Sequence, residues 1–296
     1  MRPRIAIPLP HSTDQKYGER AYPQYAQAVQ MAGGEPVRIP LDQTPAQAMK
    51  LIERCDAVLL PGSNADVDPA KYDAPRHPKT DPADARRDTV DELLLQDAYN
   101  MRKPVLGICY GLQILNVYRS GTLLQHIESA INHEAGRTVP VAHTVVIAPN
   151  SNLAKIVEGK IVGTKIVDSA ADATVETARA VEAAGAAVEA PGFSRGNHDE
   201  QRFAALAAQG KLLIPVNSSH HQSAEVIGDG LRIVARCPED GIIEAVEGTS
   251  PDHFVLAVQW HPERSTDDQR SRAIFRALVE AAKARHKELA GEFESV

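Results

Sequence analysis

Pro104-Val105-Leu106-Gly107-Ile108-Cys109-Tyr110-Gly111-Leu112-Gln113-Ile114-Leu115-Asn116-Val117 is the stretch that decides how this chain is read. It begins as an apolar run of strand character and ends as a helix-like run, with one cysteine between them. Small residues two places before and after Cys109 allow the strained backbone of a sharp strand-to-helix turn. This is the arrangement of a nucleophile elbow, with Cys in place of Ser. The following helix would aim its N-terminal N–H groups and positive dipole end at the sulfur, which predicts a lowered thiol pKa. The competing reading is a buried cysteine at the end of a core strand, and the glycine spacing weighs against it.

Upstream of the elbow, strand and helix patterns alternate at short spacing. Arg4–Leu9, Pro36–Pro40, Asp56–Leu60 and Val105–Ile108 read as strands, the third cut off by Pro61-Gly62-Ser63. Helices are expected at Pro23–Ala32, at Pro45–Arg54 with Thr44 as N-cap, and at Arg87–Arg102. The alternation predicts an α/β fold: an open, mostly parallel, flavodoxin-like sheet with helices on both faces. In such sheets reactive residues gather beyond the carboxyl ends of the strands, where Gly62 and Cys109 both fall.

The second half changes character. Val141–Ile147, Leu231–Arg236, Ile242–Val246 and Phe254–Gln259 read as strands, the last three as partly antiparallel neighbours feeding Trp260-His261-Pro262-Glu263. Asp267–His286 reads as a closing helix. The domain expectation is one unit over 1–286, interrupted by an alanine-rich helical insertion at about 159–211, with a charged tail over 287–296. Helices at Asp172–Ala187 and Asp199–Gln209 within the insertion carry too weak an apolar stripe to form their own core. They must pack on the parent domain or on another subunit, so a homodimer is among the expected partners.

Composition bounds the function. The 296 residues carry 39 acidic and 32 basic side chains, a formal net charge of -7, and 43% hydrophobic residues. That balance points away from nucleic acid and fits a substantial core. Three cysteines, Cys55, Cys109 and Cys237, make no disulfide framework and favour a reducing compartment. The N-terminal apolar stretch is too short for a signal peptide, and no run approaches bilayer length. The expectation is a cytoplasmic enzyme with no membrane partner.

A cysteine nucleophile needs a base, and the base an orienter. His261 and Glu263 are the candidate pair, because in extended backbone residues i and i+2 point the same way and Pro262 restrains the turn between them. Glu263 would select the His261 tautomer, and His261 would take the Cys109 proton. The turn Pro61-Gly62-Ser63 offers an uncrowded N–H, which with the N–H of Tyr110 would form an oxyanion site; an ordinary βα turn is the alternative. Asn217-Ser218-Ser219-His220-His221-Gln222 follows an apolar strand at Leu212–Pro215. Two adjacent histidines suggest a metal, but strand neighbours point apart and no Cys or acidic set stands at zinc spacing. Substrate contacts or buried polar support are therefore expected there, and no metal. His11, His77, His126, His133, His143, His198, His253 and His286 carry no recognisable pattern.

Together, Pro61-Gly62-Ser63, Gly107–Gln113, Asn217–Gln222 and Val258–Glu263 resemble the class I glutamine amidotransferase-like superfamily, and more narrowly the peptidase C26 group that contains gamma-glutamyl-gamma-aminobutyrate hydrolase. Arg87-Asp88 and Gly241–Ala245 also fit that group. The resemblance implies a nucleophile at Cys109, a base at His261 and a third member at Glu263. It implies oxyanion donors from the backbone at Gly62 and Tyr110, and contacts to the glutamyl ends from Gln113 and the Ser219-His220 region. Ser63 belongs to the same expected substrate or oxyanion set. The implied reaction is attack on a γ-glutamyl amide, release of the amine and hydrolysis of a thioester, with no metal or organic cofactor. A glutaminase subunit serving a separate synthetase and a catalytically silent binding protein are the alternatives. The chain departs from the group's pattern at Tyr110, where many members carry Arg, at Arg119-Ser120-Gly121, and at the insertion. Specificity is expected to depend on Tyr110 and the insertion.

Overall fold

Along the first strands, alternate side chains enter two different cores. Ile5 and Ile7 join one apolar cluster while Ala6 joins the other; Ala57 and Leu59 oppose Val58 and Leu60, and Leu106 and Ile108 oppose Val105 in the same way. A strand buried on both faces needs helices on both faces, each buried Leu or Ile contributing about 1.5–3 kcal/mol. The structure is a computed structural model, and it describes residues 2–162, 165–166 and 211–291.

In chain order the elements are β1 (Arg4–Pro8), α1 (Gln15–Met31), β2 (Glu35–Ile39), α2 (Pro45–Ile52), β3 (Ala57–Leu60), α3 (Ala85–Met101), β4 (Val105–Ile108) and α4 (Tyr110–Tyr118). Then come β5 (Leu123–Leu124), β6 (His143–Ile147), α5 (Asn152–Val157), β7 (Ile161–Val162), β8 (Lys165–Ile166) and β9 (Leu212–Val216). The last are β10 (Ser223–Ala224), β11 (Leu231–Arg236), β12 (Ile243–Gly248), β13 (Val255–Val258) and α6 (Gln269–Ala290). The main sheet runs β2-β1-β3-β4-β13-β12-β11-β6-β9. Pairing is parallel from β2 through β13 and antiparallel from β13 to β9. The last three strands expected from the sequence are indeed neighbours. Residues of α1, α5 and α6 fill the core on one face, and those of α2, α3 and α4 fill the other.

Local chemistry explains most boundaries. Thr44 caps α2 through a complete capping box with Gln47. Helix α1 begins eight residues before its expected start at Pro23, because Asp14 caps it and the helix continues through Gly18 and Pro23. Helix α5 is absent from the sequence reading. It is short, and its N-terminus is satisfied by the Ser151 side chain and by the buried carboxylate of Glu247, which accepts from Asn152 N–H and Leu153 N–H. Helix α6 runs past its expected end at His286 to Ala290, and Gly291 follows at φ 68°. The helices expected within the insertion lie outside the described residues. Among the described residues no helix is long and apolar enough to cross a membrane.

The site is positioned by one parallel pairing. Strands β4 and β13 are neighbours in register, with Ile108 opposite Val258. Cys109 follows β4 directly and His261 lies three residues beyond β13, so both emerge at the same carboxyl edge of the sheet. Arg87 fastens the adjoining loops. It is fully buried, pairs through Nε with both Asp91 oxygens at 2.9 and 2.8 Å, and donates to the carbonyls of Pro10 and Pro61 at 2.9 and 2.7 Å.

Candidate active site

Cys109 is the N-cap of α4 and holds φ 53° and ψ −107°, a conformation that side-chain-bearing residues rarely adopt. Its N–H donates to the Val258 carbonyl at 2.8 Å, and its own carbonyl accepts from Leu112 N–H at 2.9 Å. The strain is thus held between β13 and the first turn of α4. Both flanking glycines are required by close approach. A Cβ at Gly107 would lie 2.7 Å from the Gly111 carbonyl oxygen, and one at Gly111 would collide with the Leu60 carbonyl. The elbow expected from the glycine spacing is present.

The base candidate also lies beside Gly62. A Cβ built there would lie 3.1 Å from His261 Cε1 and 3.6 Å from Cys109 Cβ, so the imidazole and the Cys109 side chain both border the space that Gly62 leaves free. His261 Nδ1 is 2.8 Å from Glu263 Oε1. A carboxylate there selects the Nδ1–H tautomer and leaves the Nε2 lone pair available; Nε2 is buried and makes no hydrogen bond among the described residues. Residues Pro262–Arg264 form a 3-10 turn, so the pair is assembled by a turn and not by the extended backbone expected from the sequence.

Electrostatics define the resting state. Burial pushes the Cys109 thiol up to about 12, against the opposing pull of Arg264 and the Tyr110 N–H. The lowered thiol pKa expected from the helix N-terminus is therefore corrected: desolvation outweighs the Arg264 charge and the Tyr110 N–H, and favours the protonated sulfur. Burial also lowers the His261 pKa, against the attraction of Glu263. Burial raises Glu263, but the His261 charge and hydrogen bond and nearby Arg264 outweigh it, and the net direction is down. A neutral thiol beside a neutral imidazole and an ionised carboxylate suits base-assisted attack, with the proton moving as the S–C bond forms.

The remaining expected site residues divide. The Gly62 N–H donates to the Tyr25 hydroxyl at 3.0 Å, so the donor expected to be open at Gly62 is engaged. The Tyr110 side chain is also corrected as a specificity element. It is buried, its hydroxyl donates to Asp88 at 2.5 Å and Arg87 sits 4.9 Å from its ring centroid, which leaves only its backbone N–H directed toward the thiol. Ser63 accepts from Ala65 N–H, and Gln113 donates to the Gln222 carbonyl at 3.2 Å. Ser219 accepts from Arg264 at 2.8 Å. His220 is corrected as a substrate contact: its ring is buried and turned toward Glu244, with Nδ1 on the Gln222 carbonyl.

Sequence reasoning missed three participants. Asn217 exchanges a pair of hydrogen bonds with the His261 backbone. Arg264 links the Ser219 loop to the Glu263 turn. Tyr25 reaches Gly62 from α1. Asn217 stands inside a motif already singled out, and Arg264 directly follows Glu263; only Tyr25 gives no signal. Three side-chain clusters among the described residues have the composition to hold a cation: His133, His143, His220 and Glu244; His133, Cys237 and Asp240; and Asp66, Asp81 and His221.

Comparison with known proteins identifies the family. The model of the Peptidase C26 family matches residues 7–191 and 196–263. A protein of Rickettsia prowazekii (strain Madrid E), provisionally named glutamine amidotransferase-like, is 32% identical over 91% of this chain and 93% of its own length. A provisionally named glutamine amidotransferase of Mycobacterium tuberculosis is 32% identical over 87% of this chain but only 66% of its own. The gamma-glutamyl-gamma-aminobutyrate hydrolase of Escherichia coli (strain K12) is 28% identical over 87% of this chain and 84% of its own. The crystal structure of a protein from Thermoplasma acidophilum, provisionally named as one subunit of a GMP synthase, superposes with a TM-score of 0.57 at 12% identity, over 98% of each chain. That likeness bears on the fold alone.

Proposed function

For a chain that belongs to the Peptidase C26 family, we propose a cysteine-dependent hydrolase that cleaves the γ-glutamyl amide bond of γ-glutamyl-aminobutyrate or a related γ-glutamyl amine. Cys109 Sγ attacks the γ-carbonyl carbon as His261 Nε2 takes the thiol proton. The carbonyl electrons move to oxygen, where the Tyr110 N–H stabilises the oxyanion. Collapse breaks the C–N bond, and His261 returns its proton to the leaving amine. Water, activated by His261, then attacks the thioester and releases glutamate and the free thiol. Glu263 orients the imidazole and stabilises its charged form. Such a base contributes about 10²–10⁴-fold in rate.

The observation that carries this reading is that the strained Cys109 elbow and the buried His261–Glu263 pair both border the space beside Gly62. The E. coli relative's name supplies the substrate class. A second reading, a glutaminase subunit passing ammonia to a separate synthetase, draws on the amidotransferase names of the two relatives at 32% identity.

One screen separates them. Purified protein is offered γ-glutamyl-aminobutyrate, other γ-glutamyl amines and glutamine, and free glutamate is measured. Turnover of γ-glutamyl amines well above glutamine, lost in Cys109→Ala, is expected. Preference for glutamine would favour the second reading, and full turnover by Cys109→Ala would sink both.

A further inference from the structure

Among the described residues, five buried polar atoms that make no hydrogen bond of good geometry converge near the candidate active site. They are His133 Nδ1, His143 Nε2, His220 Nε2 and both oxygens of Glu244. All four side chains are at least nine-tenths buried. Unpaired buried polar atoms cost about 1–3 kcal/mol each, so five in one place require a reason. We propose that this cluster is a structural site for a divalent first-row transition ion, Zn2+ foremost, held by three imidazoles and one carboxylate.

The three distances to the carboxylate are those of such a site. Glu244 Oε1 lies 3.3 Å from His133 Nδ1, 3.4 Å from His143 Nε2 and 3.6 Å from His220 Nε2. All the donor atoms lie within 4.8 Å of one another. A tetrahedral ion with Zn–N and Zn–O bonds of about 2.0–2.1 Å separates its ligand atoms by about 3.3–3.4 Å. One ion at the centre would satisfy the three nitrogens and Oε1 together, whereas a proton shared with one ring would satisfy a single pair.

The outer ring atoms supply the second argument. His133 Nε2 sits 2.8 Å from Asp240 Oδ2, His143 Nδ1 sits 3.3 Å from the Thr144 carbonyl, and His220 Nδ1 sits 3.0 Å from the Gln222 carbonyl. Each acceptor draws the ring proton outward and leaves a lone pair facing the centre. Carboxylate and carbonyl acceptors behind each imidazole are the usual support of metal-binding histidines. The charges also close: a dication balances Glu244 and Asp240. The neighbouring Gln259 amide is also buried and unpartnered, but it lies outside the ligand set.

The ligands come from distant parts of the chain. His143 lies on β6 and Glu244 on β12, while His133 and His220 lie on loops joined by the His220 N–H to His133 carbonyl bond. The ion would therefore pin the Asn217–Gln222 loop to the sheet. That loop carries Asn217, which holds the His261 backbone, so the ion supports the catalytic edge without touching the reacting atoms. Four protein ligands leave no open position, which assigns it a structural role.

The test needs no substrate. Full-length protein, purified without chelator or a metal-affinity step, is analysed by elemental mass spectrometry. It is then stripped with dipicolinate and titrated with Co2+ and Zn2+. About one ion per chain, intense visible bands of tetrahedral Co2+, their bleaching by Zn2+, and a higher Tm with Zn2+ are expected. Glu244→Gln and His143→Ala should each abolish the Co2+ bands. Because either variant could lose its fold, the wild-type titration decides alone: less than a tenth of an equivalent bound, with no tetrahedral bands, overturns the site. Bands undiminished in both variants overturn the ligand assignment. Neither result depends on the γ-glutamyl reading, because neither measures turnover.

Discussion

Asn217 and His261 are tied by two reciprocal hydrogen bonds: the His261 N–H donates to Asn217 Oδ1, and Asn217 Nδ2 donates to the His261 carbonyl, each at 2.9 Å. The pairing resembles one rung of a sheet made by a side chain. It fixes the backbone from which the imidazole projects, at a point where β13 has ended and the 3-10 turn has not yet begun. Asn217→Ala leaves a buried N–H and C=O unpaired, at about 1–3 kcal/mol each. The expected outcome is a measurable loss of stability in urea, with kcat falling while KM for a γ-glutamyl amine changes little. An unchanged kcat would show that the turn holds His261 unaided.

Cys109 separates chemistry from strain. Its φ of 53° costs a residue with a Cβ about 1–3 kcal/mol, and glycine far less. Cys109→Ala and Cys109→Gly should both lose turnover, by about 10³-fold or more. Their stabilities should differ in an unusual direction. Cys109→Gly should be at least as stable as Cys109→Ala by chemical denaturation, despite the greater chain entropy of glycine. A less stable glycine variant would mean that the elbow carries no strain.

Arg87 tests what holds the two loops beside Gly62. Its guanidinium and Asp91 are both fully buried, and it donates to carbonyls at the ends of β1 and β3. Burial raises the Asp91 pKa to about 6 even against the Arg87 charge. Arg87→Ala would leave that carboxylate and the three carbonyls of Leu9, Pro10 and Pro61 without their donor. A loss of about 3–5 kcal/mol is expected, the usual result of removing one member of a buried pair. Arg87→Lys should recover only part, because an ammonium cannot reproduce the planar fork. Thermal unfolding of the two variants checks both statements.

The parallel half of the sheet, the elbow at Cys109 and the pairing of His261 with Glu263 are legible in the sequence because each signal is local. Apolar runs, glycine spacing and His-Pro-Glu are all read within a few residues. What escaped was non-local or hidden by a misleading local cue. Pro23 and Gly18 look like helix breakers, yet α1 runs through both because Asp14 caps it and Ala21, Tyr25 and Ala28 pack on the core. The sign of the thiol shift depends on burial, which no window around Cys109 reports. His133, His143 and Glu244 share no spacing pattern: the β6–β11–β12 pairings bring His143 toward Glu244, the β6–β9 pairing sets His143 opposite Val216 near His220, and the His220 N–H to His133 carbonyl bond brings in His133. Tyr110 illustrates the reverse error: its place beside the nucleophile suggests a specificity residue, but the first turn of α4 points its ring into the core.

The directions of the pKa shifts fix the pH profile. Burial holds His261 below its ordinary 6.5, so the neutral base is fully present at neutral pH and disappears only in acid. The Cys109 thiol at about 12 contributes no ionisation between those limits. For a γ-glutamyl amine, kcat/KM should rise through one apparent pKa below 6.5 and then stay level to at least about pH 9. Alkylation of the free protein by iodoacetamide should be slow at neutral pH and accelerate only in strong alkali. Stability follows the same sign. His261 and Glu263 both have lowered folded-state pKa values, so the unfolded chain binds more protons as acid is added. Their contributions are present above the ordinary His and Glu ranges and are lost as pH falls through the folded values. His261→Gln should therefore flatten the first part of the acid-induced fall in Tm while abolishing the acid limb together with most of the rate. Rapid alkylation at neutral pH would establish a resting thiolate and reverse the assignment of the proton.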